Sequence, residues 1–478
     1  MALTYPINNH KFFKLFFSLD EKEKDEFKDF CKIGFISGGR DYSNIIEQIE
    51  DLKQNQNPRS LWNRLSELTR IIEDFYLLKK MRRDKEERNV QLLDIFTERR
   101  INDIIEPQFN HTIKILENQK LGEKTFYNLH RAHYAFSTLQ IYSNKYIKFV
   151  KHFRKQSEYN IAFFLSEILT AQTEFSQQKL ENIWHDYLIN ETLLRSMDIE
   201  KIIGSVKENV PEIYLYLKFS YFLHKAFDDP DKTEYFFEAK KTFDELQPKL
   251  NNSYLTSAYQ SFINYCINRT NNYDSSFNRV LFDIYNEKLS MGIDNDIRMR
   301  NYPTNNFRDY VIVALRLDEF DWVDNFITKY EQILPEDYKA DEVNITRAML
   351  YMAKNEYDSA LKSLERTRRR NYLHYIDTSD IQLRIYYIKN EMVNAFEELA
   401  RLEKYLTTNE SIPRQRRSSY ELFVKNIRRL LRLRENFSPD RLAKAELHLK
   451  KSPQFFRKAW IEERVNELNP ERSKGSHR

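Results

Sequence analysis

The stretches 318-DEFDWVDNFI-327, 355-NEYDSALKSL-364 and 390-NEMVNAFEEL-399 decide the fold of this chain. Each begins with an acidic or amide residue followed by Glu and then a large apolar residue, and places a smaller residue three positions after that one. These smaller residues, Val323, Ala360 and Ala395, recur every 35 to 37 positions, close to the period of about 34 residues in helical-hairpin repeats. A small side chain there lets two antiparallel helices approach closely. The pattern therefore predicts a series of helical hairpins.

Composition favours helices in the rest of the chain as well. The 478 residues include only 7 glycines and 12 prolines, so few positions suit tight β-turns or phosphate-binding loops. The 34 phenylalanines and 30 tyrosines can fill a long series of helix interfaces. No apolar run approaches the roughly 20 residues of a spanning helix, the N-terminus lacks a secretion-signal pattern, and the two cysteines lack metal-ligand spacing. We expect an all-α cytoplasmic protein without a cofactor or a metal.

The chain divides by pattern into three segments. We expect a helical N-terminal module at 1–120, a helical-repeat solenoid at 121–437, and C-terminal helices with a basic tail at 438–478. Ser18 and Glu21 form a capping-box pattern that predicts the start of a helix. The glycine-rich 34–40 predicts a connection between helices, because no Lys-Ser/Thr follows it as in a phosphate loop. A helix is predicted at 42–52 and a long inter-repeat loop at 291–306.

Four stretches carry a resemblance to known proteins: KLFFSLDEKEKDEFKDF (14–30), LWNRLSELTRIIEDFYLLKK (61–80), LRLDEFDWVDNFITKYEQILP (315–335) and SSYELFVKNIRRLLRLRE (418–435). With them the chain resembles, over nearly its whole length, a family of bacterial proteins with tetratricopeptide-like (TPR-like) helical repeats, to which no activity is attached. The resemblance implies an α-helical N-terminal module followed by a TPR-like α-α superhelix, and it transfers no catalytic residue. The hairpins before residue 251 depart from the repeat consensus, because they lack the small residues.

Charge distinguishes the C-terminal end of the chain. Residues 411–478 contain 18 lysines and arginines against 8 acidic residues, a net charge of +10, whereas the whole chain carries +4. Two groups of arginines are the candidate partner-binding residues: Arg366, Arg368, Arg369, Arg370, Arg414, Arg416, Arg417, Arg428, Arg429 and Arg432. The first group is predicted to end a helix, where cations also stabilise the helix dipole. The second group suits either a nucleic-acid backbone or an acidic protein.

Catalytic patterns are almost absent. His130 and His133 lie three apart on a predicted helix, but the HExxH pattern is missing, so packing at a helix interface is favoured over metal binding. We expect a non-catalytic scaffold or adaptor that presents a helical-repeat groove to a protein partner within a larger complex. The alternative is a nucleic-acid-associated subunit that binds the phosphate backbone through its C-terminal arginines. Arginines gathered on one groove would favour nucleic acid, whereas dispersed arginines beside an exposed aromatic strip would favour protein.

Overall fold

The computed structural model describes residues 10–40, 42, 45–46, 58–180, 188–207, 210–272, 274–293 and 305–469. The chain divides into two compact units, Met1–Leu255 and Thr256–Arg478. Throughout the described residues the secondary structure is helical, apart from one isolated bridge between Leu121 and Leu250. The predicted all-α class is therefore confirmed, and the three predicted segments stay predictions. No helix in the described ranges is long and apolar enough to cross a membrane.

The described part of the first unit contains twelve helices. They are α1 (Lys11–Phe16), α2 (Glu21–Cys31), α3 (Gly34–Ser37), α4 (Pro58–Arg83), α5 (Lys85–Glu98), α6 (Asn102–Glu117), α7 (Thr125–Tyr142), α8 (Tyr146–Leu180), α9 (Leu188–Ser196), α10 (Ile199–Val206), α11 (Pro211–Asp228) and α12 (Thr233–Leu246). The longest, α8, packs against α7 and α11.

Helix α13 (Asn252–Asn272) contains the boundary between the units, and the described part of the second unit continues with ten further helices. They are α14 (Phe277–Ser290), α15 (Asn305–Leu315), α16 (Phe320–Tyr330), α17 (Glu336–Ala353), α18 (Tyr357–Leu364), α19 (Tyr372–Ile388), α20 (Met392–Thr408), α21 (Arg414–Glu435), α22 (Pro439–Lys451) and α23 (Lys458–Glu467).

The capping residue of α2 lies two positions after the predicted one. Asp20, not Ser18, is the cap: its carboxylate accepts the backbone N–H of Glu23 at 2.8 Å, and the Glu23 carboxylate accepts the N–H of Asp20 at 3.2 Å. The Ser18 hydroxyl instead donates to the carbonyl of Leu15 at 2.7 Å. Ser18 therefore serves the end of α1, where carbonyl groups lack helical partners.

The N-terminal helices share one apolar core. Phe12, Phe27, Leu65 and Leu68 are buried in it, whereas Leu78 near the end of α4 is 40% exposed. The glycine-rich connection at 34–40 forms the short turn of α3 and then two left-handed residues. Most of the predicted helix at 42–52 and of the predicted loop at 291–306 lies outside the described residues.

A common turn joins the paired helices of the second unit. Asp318, Asn355 and Asn390 have φ of 57°, 61° and 60°, the left-handed conformation that Asn and Asp adopt more readily than other residues with a Cβ. The next residue in each turn is a glutamate, whose N–H bonds back to a carbonyl of the preceding helix at 2.8–3.0 Å. This bond satisfies a helix end and directs the chain into the antiparallel partner.

The small residues of the repeat pattern lie where predicted. Val323, Ala360 and Ala395 are each fully buried in α16, α18 and α20, the second helices of three hairpins. Ala360 packs in a cluster with residues of α17 and α19, among them Ile345 and Ile381. A larger side chain there would have to displace the neighbouring helices.

Candidate partner-binding surfaces

The arginines at 366–370 lie in the connection between α18 and α19, so the prediction that they end a helix is wrong. Helix α18 already ends at Leu364. Asp341 of α17 holds the connection, because it accepts the backbone N–H of Arg368 and the Nε of Arg370, each at 2.8 Å. These contacts draw the chain across to α17, and the helix-dipole explanation no longer applies.

Arg369 is a structural residue. Its guanidinium lies 2.8 Å from the carboxylate of Glu398, whose side chain is 1% exposed. The guanidinium also donates to Oε1 of the Gln382 side chain at 2.6 Å. It also stacks over the Tyr375 ring, 4.6 Å from the ring centroid. A buried carboxylate requires a counter-charge, and Arg369 supplies it. Of this group Arg366 and Arg368 are exposed and have no described side-chain ion pair.

The second group of arginines is also partly engaged inside the unit. Arg417 donates to the carbonyls of Leu406 and Asn409 at the end of α20, where helix carbonyls lack partners. Arg428 pairs with Glu403, which also belongs to α20. Arg416 lies 3.4 Å from the Tyr372 hydroxyl, and Arg414 is exposed. Of the ten predicted arginines, Arg369, Arg370, Arg417 and Arg428 therefore already make charged or backbone contacts within the second unit.

Arg429 and Arg432 face a surface groove between α21 and α22. The groove has a volume of about 550 Å³ and is lined by Arg429, Arg432, Leu433, Glu435, Asn436, Arg441, Lys444, Ala445 and His448. The sequence analysis missed Arg441, Lys444 and His448. Their spacing of three and four residues places them on one face of α22, and this periodicity could have revealed them.

An exposed apolar strip runs along α8. Its residues are between 45% and 90% exposed: Tyr146, Ile147, Val150, Phe153, Ile161 and Phe164. At about 100° per residue they fall within an arc of about 120°, and they extend over about 27 Å of the helix. We call this set the α8 strip. Exposed apolar residues grouped on one face of a helix mark interaction sites more often than isolated exposed residues do.

Five cations occur in the same stretch of chain as the N-terminal half of the α8 strip, and Lys151 and Arg154 are the ones one helical turn from its residues Ile147 and Val150. The five cations are Lys145, Lys148, Lys151, Arg154 and Lys155. Lys148 pairs with Glu106 and Arg154 with Glu158, while the other three make no ion pair with the residues that the structure describes. The sequence analysis missed this surface, because exposed apolar residues on one face of a helix follow the same spacing as buried ones.

The histidines singled out by sequence are packing residues, as predicted. His133 is buried with its Nδ1 2.9 Å from Nδ1 of His152, and its ring contacts Phe109. Burial lowers the pKa of His133 to about 3, so the ring is neutral at pH 7. His130 lies 3.1 Å from the carbonyl of Gln156. Among the described residues no three potential ligands are arranged to hold a metal ion.

A polar cavity of about 300 Å³ in the first unit bears on the question of catalysis. Arg195 and Glu191 in its lining pair with each other. The Tyr221 hydroxyl donates to Glu200 at 2.9 Å, and Asp198 caps α10. These side chains make contacts within or between the helices that line the cavity.

Comparisons with known proteins leave the function open. No family model, curated protein or solved structure matches this chain. The resemblance to TPR-like bacterial proteins stays a prediction, and function has to be inferred from the two surfaces.

Proposed function

We propose that this protein is a non-catalytic scaffold or adaptor that binds an acidic, amphipathic helix of a protein partner along α8. The observation that carries the proposal is the α8 strip. Tyrosine and phenylalanine provide large contact areas and are enriched among the residues that dominate binding energy. A strip of about five helical turns matches the length over which a partner helix buries its own apolar face.

The charges beside the strip support an acidic partner. Lys151 and Arg154 each follow an exposed apolar residue of the strip, Ile147 and Val150, by four positions on α8. Lys151 makes no ion pair with a described residue, whereas Arg154 pairs with Glu158. Carboxylates on the flank of a partner helix would pair with Lys151 as the apolar faces meet. Such complementary charges increase the association rate and fix the orientation of the partner.

The internal contacts of the candidate arginines favour the same choice. Arg369, Arg417 and Arg428 bond to other residues of the second unit, so these three side chains are not free to hold a phosphate backbone. The α8 strip, in contrast, exposes aromatic residues. We therefore take a protein partner as the main function.

Site-specific photo-crosslinking tests the proposal. A photoreactive amino acid is introduced in place of Val150 in the cells that naturally make the protein, and covalent adducts are identified by mass spectrometry. The matched control carries it in place of Val393 of α20, which is 74% exposed. We expect one protein partner with an acidic amphipathic segment to crosslink at 150 and not at 393.

The interaction is then rebuilt from the two purified proteins. Ile147→Glu with Val150→Glu should weaken binding at least about tenfold, because each substitution places a carboxylate in an apolar contact. Adducts to lipid alone at position 150, or unchanged affinity of this variant, would refute the proposed function.

A further inference from the structure

The groove between α21 and α22 carries positive charge that the described residues do not neutralise. Arg429, Arg432, Arg441 and Lys444 line it, and none of the four forms an ion pair with a described residue. Their described hydrogen bonds go to neutral acceptors: Arg429 donates to the Asn426 side chain at 3.1 Å, and Arg441 donates to a backbone carbonyl at 2.9 Å. Glu435 is the single carboxylate in the described lining.

Other arginines of α21 have partners inside the second unit. On the same helix α21, Arg428 pairs with Glu403. Arg434 donates to the carbonyl of Tyr387 at 2.6 Å and lies over the ring of that tyrosine. The arginines of α21 that point toward neighbouring helices therefore have partners inside the unit. Those that point into the groove are left for a ligand of negative charge.

The arrangement of the groove identifies the class of anion. Its four cations stand in two rows, Arg429 and Arg432 on α21 and Arg441 and Lys444 on α22. The members of each row are three positions apart, a rise of about 4.5 Å. A linear polyanion follows such rows better than a single small anion does.

An aromatic side chain lies at one end of the rows. Phe437 is 46% exposed and directly follows Asn436, which lines the groove. Exposed aromatic rings beside a basic track are typical of proteins that bind single-stranded nucleic acid, because bases stack on the rings while cations hold the phosphates.

We infer that the groove between α21 and α22 binds the phosphate backbone of a single-stranded nucleic acid, with Phe437 stacking on a base. The inference concerns a second surface and does not depend on the proposed protein partner.

Salt dependence of binding tests the inference quantitatively. The full chain is titrated into a labelled single-stranded RNA of about 16 nucleotides at several salt concentrations. Four phosphate contacts predict a slope of log K against log salt of about −2.8, so binding should weaken about 50-fold between about 50 and 200 mM salt. Arg432→Gln with Lys444→Gln should reduce the slope to about −1.4.

The matched control removes the same charge elsewhere. Lys362→Gln with Lys404→Gln changes two exposed lysines on α18 and α20 and should leave both slope and affinity unchanged. Glutamine keeps most of each side chain, and circular dichroism verifies folding of both variants. Phe437→Ala should weaken binding of RNA about 5- to 150-fold, because stacking is worth about 1–3 kcal/mol per base, and should leave binding of inorganic pyrophosphate unchanged.

Three results would overturn the inference. The first is an affinity for polyglutamate of matched charge equal to that for single-stranded RNA. The second is an equal loss of RNA affinity in the groove variant and in the control variant. The third is the absence of RNA and DNA binding at low salt. Stronger binding of duplex than of single strands would contradict the stacking of Phe437 on a base, because the bases of a duplex are already stacked on each other.

Discussion

Asp380 offers the sharpest test of how the second unit is stabilised. Its side chain is 1% exposed, and one carboxylate oxygen accepts from Arg384 and from Arg457, each at 2.9 Å. Burial lowers the pKa of Arg384 to about 10, yet the group remains charged at pH 7. Asp380→Asn keeps the shape and removes the counter-charge. Breaking a buried ion pair in this way costs about 3–5 kcal/mol.

The assay is urea unfolding of the full chain followed by circular dichroism, with hydrogen exchange of α19 as the local measurement because the chain contains two units. The control is Asp358→Asn, since that carboxylate is 89% exposed and pairs with Lys389. An exposed pair contributes at most about 1 kcal/mol. We expect the Asp380 variant to lose at least about 2 kcal/mol more than the control.

A double substitution separates charge burial from packing. Arg384→Met added to Asp380→Asn removes the buried cation together with its partner, and should restore part of the lost free energy of unfolding. Two results would refute the reasoning. One is an equal loss of free energy of unfolding in Asp380→Asn and Asp358→Asn. The other is a loss in the double variant that exceeds the sum of the losses in Asp380→Asn and Arg384→Met.

Three further predictions concern the repeats and the helix interfaces. Asn390→Ala should lower the free energy of unfolding by about 1 kcal/mol, measured by urea titration, whereas Asn390→Gly should be close to neutral, because φ is 60° there. Ala360→Trp should cost about 1–3 kcal/mol or more through overpacking, visible as a lower melting temperature; an unchanged value would contradict the repeat register. Because burial lowers the pKa of His133 to about 3, below the value of about 6.5 for an unfolded histidine, the melting temperature should fall as pH decreases from about 6.5 toward 3, and His133→Phe should reduce that dependence.

The hairpins could be predicted because their signals are short. A left-handed Asn or Asp, a following glutamate and a small residue five positions after the turn lie within one stretch of sequence, and Val323, Ala360 and Ala395 are buried as expected. The cap of α2 was misplaced because Ser18 and Asp20 both have side chains that can cap a helix. The choice between them depends on the end of α1, where the Ser18 hydroxyl is already bonded.

The candidate surfaces could be predicted only in part. Arg429 and Arg432 were identified by the excess of cations near the C-terminus, whereas Arg441 and Lys444 join them only because α21 and α22 are adjacent. The apolar residues of the α8 strip follow the same helical spacing as core residues. Periodicity marks a face of a helix, but it cannot say whether another helix covers that face.

By itself, the sequence determined that this chain is helical, where its repeat turns lie and which small residues the hairpins bury, because these properties depend on neighbours a few positions away. The tertiary structure alone decided which arginines bond to other residues of the chain and which face solvent. Arg428 meets its carboxylate 25 positions away, and Arg434 meets its carbonyl 47 positions away. Contacts over such separations arise from the packing of whole helices, and local spacing carries no record of them.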